Sequence, residues 1–285
     1  MGLAGCWGCK TSPMGVLTMD EEPLQIVQEG EVLWVTLNRP GRLNALSRQL
    51  VEDLRALFVG LYWRHDIRVV VLGGAGGNFC AGLDLKERGS NTANTPGAGL
   101  VSQRKISEII IAMRRCPQPI IALMDGSAAG GGFALALASD IRIATPIARM
   151  NAAFIKLGLS GCDVGVSYFL PRMVGSSVAA ELLMTGRFLH ADRAVALGLV
   201  SKIVPAEKLA EEARELLADL LRTTPLGLRL TKEALNHAID AQGLEAAIAM
   251  EDRNQILCVQ GEDFQEGVRA FLEKRAPVYG AAKGP

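Results

Sequence analysis

Three stretches of this chain offer backbone amides rather than reactive side chains, and each follows an apolar run that reads as a strand. They are Arg39-Pro40-Gly41-Arg42-Leu43-Asn44-Ala45-Leu46, Cys80-Ala81-Gly82-Leu83-Asp84-Leu85-Lys86, and the triplet Gly130-Gly131-Gly132. The triplet opens Phe133 to Ala138, a helix apolar on every face and therefore expected to be buried. The first turn of a helix leaves N–H groups without intrahelical partners. With no side chain in the way, an oxygen can approach them closely. Two such N–H groups from different segments, converging on one oxygen, stabilise an oxyanion. The competing reading is close backbone packing at a strand-to-helix corner, and the triplet alone does not choose.

Side-chain candidates are few. Asp163 precedes Val164-Gly165-Val166, so it reads as a helix N-cap, as an acid/base carboxylate, or as both. Cys162 beside it is a nucleophile candidate, with a buried spectator thiol as the alternative. Asp84 and Asp140 read as structural, at a turn and at a helix end. Three histidines (His65, His190, His237) have no ligand spacing among them, so no protein metal site is expected.

The positioning elements follow from periodicity. Ile26 to Leu37 reads as one strand and Leu46 to Leu61 as a helix. Val69 to Gly73 is a second strand. Glu87 to Gly99 is small, polar and glycine-containing, and is expected to be a mobile loop beside a pocket. Ser102 to Arg115 is amphipathic, with Ile106, Ile109, Ile110 and Met113 on one face. Ile120 to Met124 and Ile141 to Ala144 are strands, Val164 to Met173, Ser177 to Met184 and Asp192 to Leu197 helices, and Leu199 to Val204 a strand. Strands alternating with helices argue for an α/β fold of parallel βαβ units. After Pro205 the grammar changes to helices alone: Ala206 to Leu221, Pro225 to Ala241 and Leu244 to Leu257, with a capping box expected at Asp263 to Glu266. The expected division is a leader over 1–20, a core over 21–205 and a helical segment over 206–285.

Composition bounds the function. The chain has 285 residues, 49% of them hydrophobic, enough for a large core. Thirty basic residues balance thirty acidic ones, which argues against a nucleic-acid surface. Six cysteines in a chain this long are not a disulfide framework. Cys80, Cys116, Cys162 and Cys258 are expected to be free, buried thiols. No apolar run is long enough for a membrane span, and the expectation is a reduced, cytoplasmic protein. Cys6-Trp7-Gly8-Cys9 and Leu3-Ala4-Gly5-Cys6 resemble redox and lipoprotein motifs without their flanking context. An unstructured leader is expected there, with Met14 and Met19 as alternative starts.

RPGRLNALS, FCAGLDLKE, DGSAAGGGFALALASDIRIA, LLMTGRFLHADRAVALGLVSKIV and EDFQEGVRAFLEKRAPVY, in this order, resemble the consecutive signatures of the crotonase family, the enoyl-CoA hydratases and isomerases. The resemblance runs from about Leu24 to Tyr279. It implies a crotonase-like spiral of ββα/βαβ units, with a helical C-terminal segment that assembles trimers or hexamers. It implies an acyl-CoA thioester substrate, coenzyme A entering with the substrate and no separate cofactor. The thioester oxygen would meet the N–H groups of Leu83 and Gly131. Coenzyme A would lie along Arg42, Leu43 and Ala45 and along Ala81, Leu83, Asp84, Leu85 and Lys86. Lys274 and Phe271 would help to hold it, from the same or a neighbouring subunit.

The side chains depart from the hydratase pattern. Hydratases of this family carry one glutamate at the position of Ala134 and a second in the segment aligning with Phe154. Water addition needs groups to position water and move protons, which alanine and phenylalanine do not supply. Asp163 falls where the family's dienoyl-CoA isomerases carry an acidic residue, and where 4-chlorobenzoyl-CoA dehalogenase carries its nucleophile, the latter also followed by a pair like Ser167-Tyr168. The resemblance therefore implies acyl-CoA processing, with Asp163 as the acid/base or nucleophile. A non-catalytic acyl-CoA-binding protein is the alternative.

Overall fold

The computed structural model describes residues 22–89 and 95–280. The leader, with its two cysteine motifs and alternative starts, lies outside the described residues. A six-stranded sheet forms the spine, in the order β1 (Leu24–Glu29), β2 (Val32–Leu37), β3 (Val69–Gly74), β4 (Ile120–Met124), β6 (Ile141–Ala144), β9 (Lys202–Ile203). The single strand expected over 26–37 is a hairpin. β1 and β2 pair antiparallel in the register Leu24 to Leu37 and Glu29 to Val32, and Gly30, at φ 58°, makes the turn. Every later pairing in this sheet is parallel.

A smaller sheet, whose strands no periodicity marks, runs beside it. It contains β5 (Ser127–Ala129), β7 (Arg149–Asn151) and β8 (Leu189–His190). Two isolated parallel bridges extend it, Cys80 to Ala128 and Leu46 to Leu83. Each turn of the chain thus supplies a long strand to the first sheet and a short one to the second before entering helix. β4, β5 and α4 (Gly131–Ala138) make one such turn. The preceding turn is β3, the stretch around Cys80 to Leu83, then α2 (Leu85–Gly89) and α3 (Pro96–Arg115). This is the expected ββα spiral.

α1 (Arg48–Leu61) is capped by Ser47, whose side chain accepts from the Leu50 N–H. α2 runs through residue 89 and α3 starts six residues before the amphipathic stretch, so the loop expected over 87–99 is helical at 87–89 and 96–99. Thr95 caps α3 by accepting from the Ala98 N–H, and Pro96 sits in its first turn. Those two residues outweigh Gly97 and Gly99. α4 is buried along its whole length and belongs with α1 and α3 to the main core, where Phe58, Phe79, Met113 and Phe133 meet. α5 (Val166–Val174), α6 (Ser176–Thr185) and α7 (Ala191–Ala196) follow. The strand expected over 199–204 shrinks to two residues.

α8 (Leu209–Leu221) covers the other face of the large sheet, against Val32, Trp34, Val71 and Ile121. α9 (Pro225–Ala238), α10 (Leu244–Val259) and α11 (Glu262–Glu273) complete the chain. The capping box does not form: the N-cap of α11 is Gly261, without a side-chain cap bond.

Candidate active site at the glycine corner

The site is backbone built. The parallel bridge between Leu46 and Leu83 uses the Leu46 N–H, which donates to the Gly82 carbonyl at 2.7 Å, and the Asp84 N–H, which donates to the Leu46 carbonyl at 3.1 Å. That pattern leaves the Leu83 N–H on the opposite edge. Gly131 approaches that edge: a methyl group built on Gly82 would lie 3.2 Å from the Gly131 nitrogen and 2.6 Å from the Ala129 carbonyl. Gly82, at φ 88°, makes the close approach. Neither the Leu83 nor the Gly131 N–H donates to another group among the described residues. The glycine corner is thus two things at once. Gly132 is packing, since a β-carbon there would meet the Cys80 carbonyl at 2.1 Å. Gly131, one residue earlier, presents a free amide at the first turn of α4.

Residues unremarked in the sequence hold these loops together. The Arg39 N–H donates to Asn44 Oδ1 at 2.9 Å, and Asn44 Nδ2 donates to the carbonyls of Ala75 (2.8 Å) and Asn78 (2.7 Å). Asn78 Oδ1 in turn accepts from the Ser127 N–H at 3.2 Å. Three loops are joined by one buried asparagine and its neighbours. The available signal was Asn44 itself, a residue type that tolerates the left-handed region it occupies at φ 55°.

Arg39 also donates to the Ala45 carbonyl and, at 2.9 Å, to Asp84 Oδ2. Asp84 Oδ1 accepts from the Lys86 and Glu87 N–H groups at the start of α2. Burial pushes the Asp84 carboxyl up, but Arg39 and those two amides outweigh it and hold the group below its ordinary range. Its carboxylate is therefore occupied inside the protein, and Asp84 serves the site by fixing the loop. Around it, Ala45 is buried, Ala81 is half-buried with its N–H on the Leu43 carbonyl, and Arg42, Leu43, Leu85 and Lys86 are exposed.

The enoyl-CoA hydratase/isomerase family model matches residues 28–282. The chain belongs to the enoyl-CoA hydratase/isomerase family. It is 38% identical over 254 residues to a Mycobacterium bovis protein named "Probable enoyl-CoA hydratase echA12", covering 87% of this chain and 89% of that one. It is 36% identical over 262 residues to the 1,2-epoxyphenylacetyl-CoA isomerase of Escherichia coli, covering 92% and 99%. Among solved structures, an enoyl-CoA hydratase from Bacillus anthracis superposes with a TM-score of 0.85 at 34% identity, over 90% of this chain and 98% of that one.

Within this hydratase/isomerase frame the side-chain candidates separate. Ala134 is fully buried in α4. Phe154, in the 3-10 turn Ala153–Leu157, lies with its ring 3.4 Å from where a Gly130 β-carbon would be. An aromatic ring, not a carboxylate, flanks the corner there. Asp163 lies on the segment entering α5, which packs against α4. It is not the N-cap: Gly165 occupies that position, without a side-chain cap bond. Instead Asp163 Oδ1 accepts from the Val164 N–H at 2.8 Å and from Gln103 Nε2 at 2.6 Å.

Cys162 is exposed, which overturns the buried-thiol reading, while Cys80 and Cys116 are buried. Burial pushes the Cys80 thiol up to about 12, so it stays protonated and is no nucleophile. Lys274 ends α11 in a left-handed C-cap. Within one chain α11 packs on α10, and Phe271 is 83% exposed.

Proposed function

We propose that this family member isomerises the double bond of an enoyl-CoA thioester, with the thioester oxygen between the Leu83 and Gly131 amides and Asp163 as the proton carrier. The observation that supports the reading most is the approach of the Gly82–Leu83 edge to Gly131, which places two undonated N–H groups together. Removal of an α-proton puts negative charge on the thioester oxygen. Each N–H aimed at that oxygen contributes about 2.7–4 kcal/mol to the transition state.

Isomerisation needs one group that takes a proton from the α-carbon and returns it to the γ-carbon. Asp163 suffices, and the electron pair of the broken C–H bond becomes the new α,β double bond. Hydration needs a second group to hold water. By the family resemblance Ala134 and Phe154 fall where the hydratases carry such groups, which favours isomerisation over hydration. One relative is itself named an isomerase.

Coenzyme A would run along Arg42 to Ala45 and Ala81 to Lys86, where Arg42 and Lys86 are exposed cations. Assembly into trimers or hexamers belongs to the same reading, supported by the apolar side chains that α10 and α11 leave exposed, among them Leu244, Ile256 and Leu272. A neighbouring subunit would then bring Lys274 to the ligand. A reduced cytoplasmic setting fits the buried thiols. No helix among the described residues is long and apolar enough to cross a membrane.

The test is turnover of a 3-enoyl-CoA, read as the rise of the conjugated-thioester absorbance, beside hydration of crotonyl-CoA. Conjugation that Asp163→Asn abolishes is expected. Rapid crotonyl-CoA hydration untouched by that substitution would overturn the reading.

A further inference from the structure

We infer that Gln103 is a positioning residue that aims Asp163, an inference that rests on the proton-carrier role of Asp163 proposed above. The first observation is where Gln103 sits. Ile106, Ile109, Ile110 and Met113 form the inward face of α3. Gln103 is half-buried and continues that face one turn towards the N-terminus, at the i−3 position from Ile106. An amide in line with an apolar stripe must find a partner. Its partner is the carboxylate of Asp163, sixty residues away, at 2.6 Å.

The second observation is how the carboxylate is held. Both of its donors, Gln103 Nε2 and the Val164 N–H, go to Oδ1. Oδ2 receives no hydrogen bond among the described residues, and it is not sealed from solvent, being absent from the buried polar atoms that lack a partner. Two donors on one oxygen fix the plane of the group and leave the other oxygen as the single free acceptor. A lone terminal torsion of aspartate is otherwise soft and roughly two-fold.

The third observation is that the surroundings are built for this contact. Val164 takes φ 39° and Gly165 φ 90°. A β-branched residue in the left-handed region costs about 1–3 kcal/mol and persists only where its surroundings over-determine it. That turn sets the Val164 N–H on its own neighbour's carboxylate. A β-carbon on Gly165 would stand 3.5 Å from Ile110 Cγ2 and 3.1 Å from the Phe169 ring. The apolar face of α3 therefore rests directly on the segment that carries Asp163, and Gln103 extends the same contact with a hydrogen bond. The carboxylate is held from α3, a helix two spiral turns earlier, as well as from its own segment.

The experiment follows deuterium incorporation into the acyl carbons of a 3-enoyl-CoA thioester in D2O, which reads proton transfer whatever the net product. Gln103→Leu is expected to lower kcat for exchange about 10- to 100-fold, as for a displaced catalytic group. KM is expected to stay within about twofold and the melting temperature to be unchanged, because α3 keeps its apolar stripe. Gln103→Glu, which keeps the shape but replaces the donor by an acceptor, is expected to fall at least as far, and it decides the case if the leucine variant does not fold. Asp163→Asn is expected to fall below both. Gln103 variants with normal kcat beside an inactive Asp163→Asn would overturn the positioning role and leave that of Asp163 standing. So would a loss confined to KM or to thermal stability. An Asp163→Asn enzyme with normal exchange, or a wild type with none, would overturn the reading on which the inference rests.

Discussion

Gly131 and Gly132 are neighbours of the same type with different obligations. A β-carbon on Gly132 would run into the Cys80 carbonyl at 2.1 Å and the Cys80 Cβ at 2.7 Å, neither of which can move alone. On Gly131 the one tight contact would be the tip of Leu46, at 2.9 Å, with the Gly82 Cα at an ordinary 3.9 Å. Gly132→Ala is therefore expected to destabilise the fold by about 2–4 kcal/mol, and Gly131→Ala by roughly 1 kcal/mol or less. Denaturant midpoints distinguish them, and the reverse order would contradict the packing described. The thiols give a second residue-scale prediction. Brief treatment of the native protein with a maleimide, followed by peptide mass mapping, is expected to label Cys162 and spare Cys80 and Cys116. Burial is what separates them, since Cys162 is exposed and the other two are enclosed. Gln103 and Asn44 were both present in the sequence, but each looked ordinary. What makes them informative is a partner far along the chain, and periodicity carries no information about that. Asp163 was legible as a residue of interest, yet its local reading as a helix cap failed, because Val164 takes a left-handed turn that postpones the helix by two residues.

At the scale of elements, the Arg39–Asp84 pair joins the loop after β2 to the one that enters α2. The Asp84 carboxyl is held below its ordinary value of 3.8 in the folded chain. A depressed carboxyl contributes stability that is present above the unfolded value and is lost as pH falls through the folded one. Denaturant stability of the wild type is therefore expected to fall below about pH 4, partly through this group. Asp84→Asn should be less stable near neutrality, with a shallower acid limb. An unchanged limb would mean that Arg39 contributes nothing to the charged form. Long strands, and helices with apolar stripes, were legible in the sequence because alternation and 3.6-residue spacing survive over five or more residues. β5, β7 and β8 were not, since strands of two or three residues have no period. Their existence depends on pairings such as Ala129 with Asn151 and Met150 with Leu189. The start of α3 was legible in principle, as Thr95-Pro96 is a cap followed by an N-terminal proline. The glycines after it hid the signal.

For the molecule as a whole, a buried ammonium group is one of the ties between α9 and the spiral. Lys232 of α9 donates to the carbonyls of Met113 (3.1 Å) and Gln118 (2.7 Å) and pairs with Asp140 Oδ2 at 3.0 Å. Asp140 also accepts from the Ile120 N–H and from Arg114, so the end of α3, the start of β4 and α9 share one cluster. Lys232→Met leaves two carbonyls and a carboxylate short of a donor and is expected to cost about 2–4 kcal/mol. Thermal unfolding followed by circular dichroism would check this, and a melting temperature equal to that of the wild type would show the cluster to be dispensable. The overall class was legible from strands alternating with helices and then helices alone. The second sheet, and with it the spiral, was legible only through the family resemblance.

Because the two candidate oxyanion donors are peptide N–H groups, no ordinary substitution at Leu83 deletes its donor, proline excepted, and Gly131 is protected in the same way. The cradle is indifferent to what lies beyond the α-carbon. With the roles proposed above, mutation at 103 or 163 would slow or stop proton transfer, and mutation at 134 or 154 would reshape the pocket, without removing either amide. On that reading proton transfer is lost before the hold on a thioester, so acyl-CoA binding is expected to outlast turnover as the surrounding side chains diverge.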